Sequence, residues 1–252
     1  MTSPPAGQPV DDLPRKVAVA VPWPTFLLWF GDVWKPGAHM ALIAPTDSGK
    51  TTFAVPVLKL RRFVLAFDPK GGDTRLQLSG FQRITRWPPP DKVRQDIAEG
   101  RPARLIVGGI NRSRADRDKN LEFQRHVLGE AFDEGGWTVY LDEYQILADR
   151  RMGGMDKESE LLLISARDPK AMTIVTAYQA PAWVPRASTR QATWIVIWPT
   201  RDEQVVKSLA EKMGRDRREL LAALRALPRH HVLIGGTDME APLVITKAPS
   251  LG

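Results

Sequence analysis

The run Ala41-Leu42-Ile43-Ala44-Pro45-Thr46-Asp47-Ser48-Gly49-Lys50-Thr51-Thr52 decides how the rest of the chain is read. His39 to Ile43 predicts a buried strand, which breaks into a turn of small and polar residues, and Gly-Lys-Thr-Thr closes the turn before a second apolar segment. Strand, loop and helix in that order describe a phosphate-binding loop, because backbone N–H groups and a helix N-terminus converge on one point and suit a polyanion. In such a loop Thr46, Asp47, Ser48, Gly49, Lys50, Thr51 and Thr52 surround the nucleotide, with Lys50 reaching the β- and γ-phosphates and the Thr51 hydroxyl ligating Mg²⁺. The pattern G-x-x-x-x-G-K-[ST] begins with glycine, and here Ala44 stands in its place. Alanine tolerates positive φ poorly, so the turn is expected to be entered differently. The competing reading is an ordinary strand-to-helix turn with an exposed lysine.

Two further apolar runs end in charge. Phe63-Val64-Leu65-Ala66-Phe67 predicts a strand that delivers Asp68-Pro69-Lys70-Gly71-Gly72-Asp73 at its C-terminal edge, where open α/β sheets place their sites. Trp137 to Leu141 predicts another, delivering Asp142-Glu143. Downstream of a phosphate-binding loop, Asp142 would hold Mg²⁺ through water, and Glu143 would orient and deprotonate a water beyond the γ-phosphate. Met172 to Thr176 predicts the next strand, and Gln179 at its tip would sit beside the γ-phosphate if these strands are neighbours. A solvated strand end and a loop glutamine are the plainer alternatives.

Working outward, the aromatic stripe Trp23, Phe26, Trp29, Phe30 and Trp34 predicts a helix packed on the core. Phe53 to Leu60 should be the helix after the loop, kinked or shortened by Pro56. Helices are also predicted over Asp91–Glu99, Leu121–Phe132, Lys157–Ala166, Asp202–Met213 and Asp216–Leu227, with strands over Arg104–Val107 and Thr193–Trp198. Asn111 to Asn120 reads as a charged loop. His231–Ile234 and Leu243–Thr246 pair as a short C-terminal β-hairpin, and residues 1 to 16, with four prolines, read as a disordered arm. Strands alternating with helices imply an α/β fold: one domain over residues 17–252, with a mostly parallel sheet covered by helices on both faces.

Composition narrows the function classes. Lys and Arg exceed Asp and Glu by 36 − 29 = 7, and the isoelectric point near 9.8 favours a polyanionic partner such as nucleic acid. The chain has no cysteine, which excludes disulfides, thiolate metal sites and a cysteine nucleophile. The four histidines show no zinc spacing. No apolar stretch is long enough to span a bilayer and the N-terminus does not read as a signal peptide, so a soluble intracellular protein is expected.

In order, the chain shows Ala44 to Thr52, Asp68-Pro69-Lys70, Asp142-Glu143, Ala166-Arg167, and Thr176-Ala177-Tyr178-Gln179-Ala180-Pro181. This series, over Pro36 to Trp198, resembles the FtsK/HerA superfamily of DNA-pumping ATPases, which includes genome-packaging ATPases of certain viruses and conjugation pumps. It departs at Ala44 and at the two residues between Thr176 and Gln179. The resemblance implies a RecA-like P-loop NTPase fold, ATP and Mg²⁺ as cofactors, and a homo-oligomeric ring, a hexamer, around double-stranded DNA. It implies that Arg167 is an arginine finger reaching the next subunit's site. Channel contacts should be basic and indifferent to sequence; Arg150 and Arg151 in the loop Arg150-Arg151-Met152-Gly153-Gly154, and Arg112 and Arg114, are the candidates.

With about 250 residues the chain lacks room for the further domains of cellular chromosome pumps, so a viral genome-packaging motor is the leading expectation. Its place would be the host cytoplasm or the virion, and its docking partner a capsid or portal protein. The alternatives are an assembly or secretion ATPase that moves single-stranded DNA or protein, and a nucleotide-gated DNA-binding module.

Overall fold

A single sheet runs through the described residues of the computed structural model, which are 18–72, 74–152, 154–181, 184–237 and 243–249. The stretch expected to be a disordered arm lies outside them. In chain order the strands are β1 (Ala18–Ala20), β2 (Met40–Ile43), β3 (Phe63–Phe67), β4 (Gln82–Ile84), β5 (Ala103–Val107), β6 (Thr138–Leu141), β7 (Thr173–Tyr178), β8 (Trp194–Ile197), β9 (Val232–Gly236) and β10 (Leu243–Thr246). Across the sheet they lie in the order β1-β10-β9-β8-β2-β7-β6-β3-β5-β4. From β8 through β4 every pairing is parallel. The expected terminal hairpin, β9 with β10, joins β8 in antiparallel register and extends the sheet, and β1 closes that edge parallel to β10.

Alternation along the strands divides the core in two. Ala41 and Ile43 of β2, Leu65 and Phe67 of β3, and Val139 and Leu141 of β6 face one way. There they meet α5 (Arg114–Glu134), α6 (Tyr144–Ala148), α7 (Asp156–Ser165), α9 (Glu203–Met213) and α10 (Arg217–Ala226). Met40, Leu42, Val64, Ala66 and Tyr140 face the other way, onto α1 (Trp23–Val33), α2 (Lys50–Leu58) and Leu76 of α3 (Thr74–Leu78). Two covered faces explain why the central strands read as unbroken apolar runs. The aromatic stripe is indeed core: Phe26 and Phe30 of α1 are fully buried, stacked at 5.1 Å between centroids.

Several elements differ from the sequence reading. The helix after the loop begins at Lys50, three residues early, and runs past Pro56 to Leu58. The segment read as a charged loop, Asn111 to Asn120, is mostly helix: Ser113 Oγ accepts from Asp116 N and caps α5, so Arg114 lies in its first turn. Its alternating charges are the solvated face of a helix start rather than a mobile loop. Three short helices, α3, α6 and α8 (Ala187–Arg190), and the three-residue strands β1 and β4 do not show in the sequence pattern.

Candidate functional site

The tips of β2, β3 and β6 open onto one cavity of about 390 Å³. Thr46, Asp47, Gly49, Lys50 and Thr51 line it from the first tip, Asp68, Lys70, Gly72, Thr74 and Arg75 from the second, and Asp142 and Glu143 from the third.

The loop after β2 shows how alanine replaces the first glycine. Ala44 still belongs to the sheet: its N–H donates to Tyr178 O at 3.1 Å and its methyl is buried with Phe53 and Ala54. The left-handed positions fall instead at Asp47 (φ 58°) and Gly49 (φ 96°), where glycine at the second position relieves the strain that a side chain would bring. Gly49 caps α2 without any side-chain hydrogen bond, so the first-turn N–H groups keep their capacity for an anionic ligand.

Lys50 is buried, and its Nζ donates to Ala44 O at 2.9 Å and Pro45 O at 3.0 Å. Burial pushes its amine below the usual lysine range, and the charges of Glu143 and Asp142 work against that fall. The Asp142 carboxylate accepts from Tyr140 OH and Glu143 N, both at 3.0 Å, which fixes its orientation. Glu143 sits at φ 43° and opens α6. Burial works to raise its carboxyl, but the hydrogen bond and charge of Lys70, with Lys50 and Gln145 behind them, pull it below the ordinary glutamate value. Thr51 and Asp142 supply hard oxygen donors on the same cavity wall, the donor type Mg²⁺ takes when it shares its remaining positions with phosphate and water.

The remaining candidates lie elsewhere. Ser48 and Thr52 belong to the loop and first helical turn but do not line the cavity. Gln179 follows β7, the strand between β2 and β6, and lines a separate cavity of about 260 Å³ with Ala44, Pro45, Thr200 and Asp202. Arg167 lies at the opposite, N-terminal end of the strands, exposed, with Nε on Gly37 O at 3.2 Å and Nη2 on Thr193 Oγ1 at 2.6 Å. Arg150 pairs with Asp156 at 2.7 Å, and Arg114 stands 3.9 Å from Asp118. Arg112 donates its N–H to Asp116, and Arg151 donates its own to Asp149. The sequence reading had given Lys70, Thr74 and Arg75 no role. The Asp68-Pro69-Lys70 motif signals the first, whereas α3, which carries the other two, has too few residues to show a period.

No family model and no curated protein matches the sequence. Solved structures do resemble the fold. The genome packaging NTPase B204 from Sulfolobus turreted icosahedral virus 2, in complex with sulfate, superposes with a TM-score of 0.55 at 16% identity, covering 85% of this chain and 98% of that one. The same protein in complex with AMPPCP gives a TM-score of 0.53 at 15% identity, covering 85% and 99%. VirB4 of Thermoanaerobacter pseudethanolicus gives 0.56 at 12% identity, covering 84% and 89%. The likeness is one of fold: a mostly parallel sheet covered by helices, shared with these P-loop NTPase structures. No helix among the described residues is long and apolar enough to cross a membrane.

Proposed function

We propose that the chain binds ATP with Mg²⁺ at the tips of β2, β3 and β6, hydrolyses it to ADP and phosphate, and uses the cycle to move double-stranded DNA as a ring-forming genome-packaging motor. The observation that carries this reading is the meeting of Lys50 and Thr51 with Asp142 and Glu143 around one cavity. Fold likeness to a protein described as a DNA-packaging ATPase supports it (TM-score 0.55, 17% identity), as does the net charge of +7.

In this scheme the uncapped first turn of α2 and the Lys50 amine hold the phosphates. Thr51 and Asp142 would hold Mg²⁺, which would supply neutralisation of the phosphate charge. Glu143 orients the attacking water and takes its proton. Arg167, remote from its own chain's cavity, acts in the site of a neighbouring subunit. Gln179, at the tip of the strand between β2 and β6, senses the terminal phosphate by hydrogen bonding to it or to the attacking water. Arg150, Arg151, Arg112 and Arg114 grip the DNA backbone by its phosphates.

The test is ATP turnover with and without duplex DNA while the particle is sized. DNA-stimulated hydrolysis by a large ring is expected; a strictly monomeric enzyme indifferent to DNA would overturn the motor. Stimulation by single-stranded DNA alone would favour an assembly or secretion ATPase. ATP-dependent DNA binding without triplex displacement would favour a nucleotide-gated module.

A further inference from the structure

Lys70 Nζ lies 2.7 Å from Glu143 Oε1, so the group assigned to take a proton from water already has a cation on it. The other carboxylate oxygen accepts from Gln145 Nε2. A carboxylate with a cation on one oxygen and an amide on the other keeps a second lone pair on each, but it is a weaker base than one with neither. The two partners are unequally buried: the Lys70 side chain is 57% exposed and that of Glu143 11%.

The loop that presents Lys70 is pinned on every side. Asp68 Oδ1 accepts from Gly71 N at 2.9 Å, and its Oδ2 pairs with Arg83 at 3.3 Å. Gln124 Nε2 donates to Asp68 O at 3.0 Å, and Asn111 Nδ2 donates to Pro69 O at 3.0 Å. Gly71 is at φ +65°, and a Cβ there would stand 2.5 Å from Asn111 Cγ. These bonds anchor the backbone around Lys70, so the freedom left to the amine is the swing of its flexible four-carbon stem. Lys70 also lines the cavity that holds Lys50 and Thr51, so that swing begins beside the place where phosphates would lie.

We propose that Lys70 exchanges partners: it holds Glu143 in the nucleotide-free site and moves onto the terminal phosphoryl oxygens of a bound triphosphate, which frees Glu143 for the attacking water. This rests on the ATPase reading above. A diphosphate lacks the group that draws Lys70 away, so the amine returns to Glu143 once phosphate has left. Lys70 thereby distinguishes substrate from product and keeps the base idle in between.

The experiment compares Mg²⁺–AMPPCP and Mg²⁺–ADP affinities, by displacement of a fluorescent nucleotide, in the wild type, Lys70→Met, Lys70→Arg, Glu143→Gln and the double variant, alongside kcat and KM for ATP. Lys70→Met should lose about tenfold in preference for AMPPCP over ADP, the scale of one charge-assisted contact, while Lys70→Arg retains most of it. Glu143→Gln should tighten AMPPCP binding when Lys70 is present and not when it is methionine. If Lys70 merely braces Glu143, Lys70→Met will lower kcat and leave the AMPPCP/ADP ratio unchanged, which overturns the exchange. A wild type that binds neither nucleotide overturns the exchange together with the ATPase reading; a wild type that hydrolyses ATP with an unchanged ratio in Lys70→Met overturns the exchange alone.

Discussion

At the C-terminal tips of β2, β3 and β6 the chain gathers two lysines, four carboxylates and a helix start without a side-chain cap, with Asp47 and Glu143 held in left-handed backbone. At the N-terminal ends of β2, β7 and β8 it places a buried neutral histidine and satisfies it completely. His39 Nδ1 accepts from Ile174 N at 3.1 Å, and Nε2 lies 3.1 Å from Leu163 O. Gly37 N donates to Thr173 Oγ1 at 2.9 Å nearby. The same parallel strands thus end differently, one end leaving the first-turn N–H groups of α2 without a side-chain cap and the other tying up both nitrogens of His39. Backbone N–H groups left open at a helix start suit an anionic ligand, so the proposed function is assigned to the first end and stability to the second.

That contrast breaks if substitutions at the two ends act alike. The largest effect expected is at the C-terminal tips: Lys50→Ala should lower ATP turnover by about a thousandfold or more, the scale of removing a phosphate-neutralising group. Glu143→Gln should cut kcat by about 10² to 10⁴ while nucleotide still binds, as for loss of a general base. Both variants should melt close to the wild type by circular dichroism. Next comes the support beneath the site. Arg83→Ala leaves the buried Asp68 carboxylate without its ion pair and should cost about 3 kcal/mol in urea unfolding, as for a broken buried pair. A loss confined to turnover, with unchanged stability, would contradict the bracing role.

His39 sharpens the comparison from the other end. Burial, with repulsion from Arg167, lowers its pKa to about 4 from the ordinary 6.5. Between those values the unfolded chain binds a proton that the folded chain refuses, so stability is full above pH 6.5 and falls as pH drops toward 4. The loss amounts to about 3 kcal/mol. His39→Gln should be less stable at neutral pH yet show a flatter decline between pH 6.5 and 4 in urea titrations. An identical decline in both proteins would remove His39 as the source. The smallest effect expected is at the surface: the Arg150–Asp156 pair, with Arg150 78% exposed, should contribute little to stability, so Arg150→Ala tests DNA grip without disturbing the fold.

Much of the site was legible because its three strand tips carry their own signal, an apolar run that stops at Gly-Lys-Thr-Thr, Asp-Pro-Lys or Asp-Glu. The sheet's parallel centre followed from those same runs, since only strands covered on both faces are apolar throughout. Elsewhere local pattern fell short. Asn111 to Asn120 looked like a loop because the exposed start of α5 is as charged as a loop, and the cap that distinguishes them is the single Ser113. Strands of three residues, β1 and β4, show no period, and the placement of β9 against β8 depends on pairing rather than composition. The Lys70–Glu143 contact joins residues 73 apart, so no local reading shows it. Gln179 lines a cavity other than that of Glu143 although β7 lies beside β6, because the direction in which the chain leaves β7 is not settled by which strands are neighbours.

The most direct test of the account is ATP hydrolysis by the wild type and Lys50→Ala, purified side by side and assayed with Mg²⁺ and duplex DNA. The account predicts turnover by the wild type that disappears in a variant with an unchanged melting curve. Equal turnover by the two proteins, or none by the wild type, would contradict it.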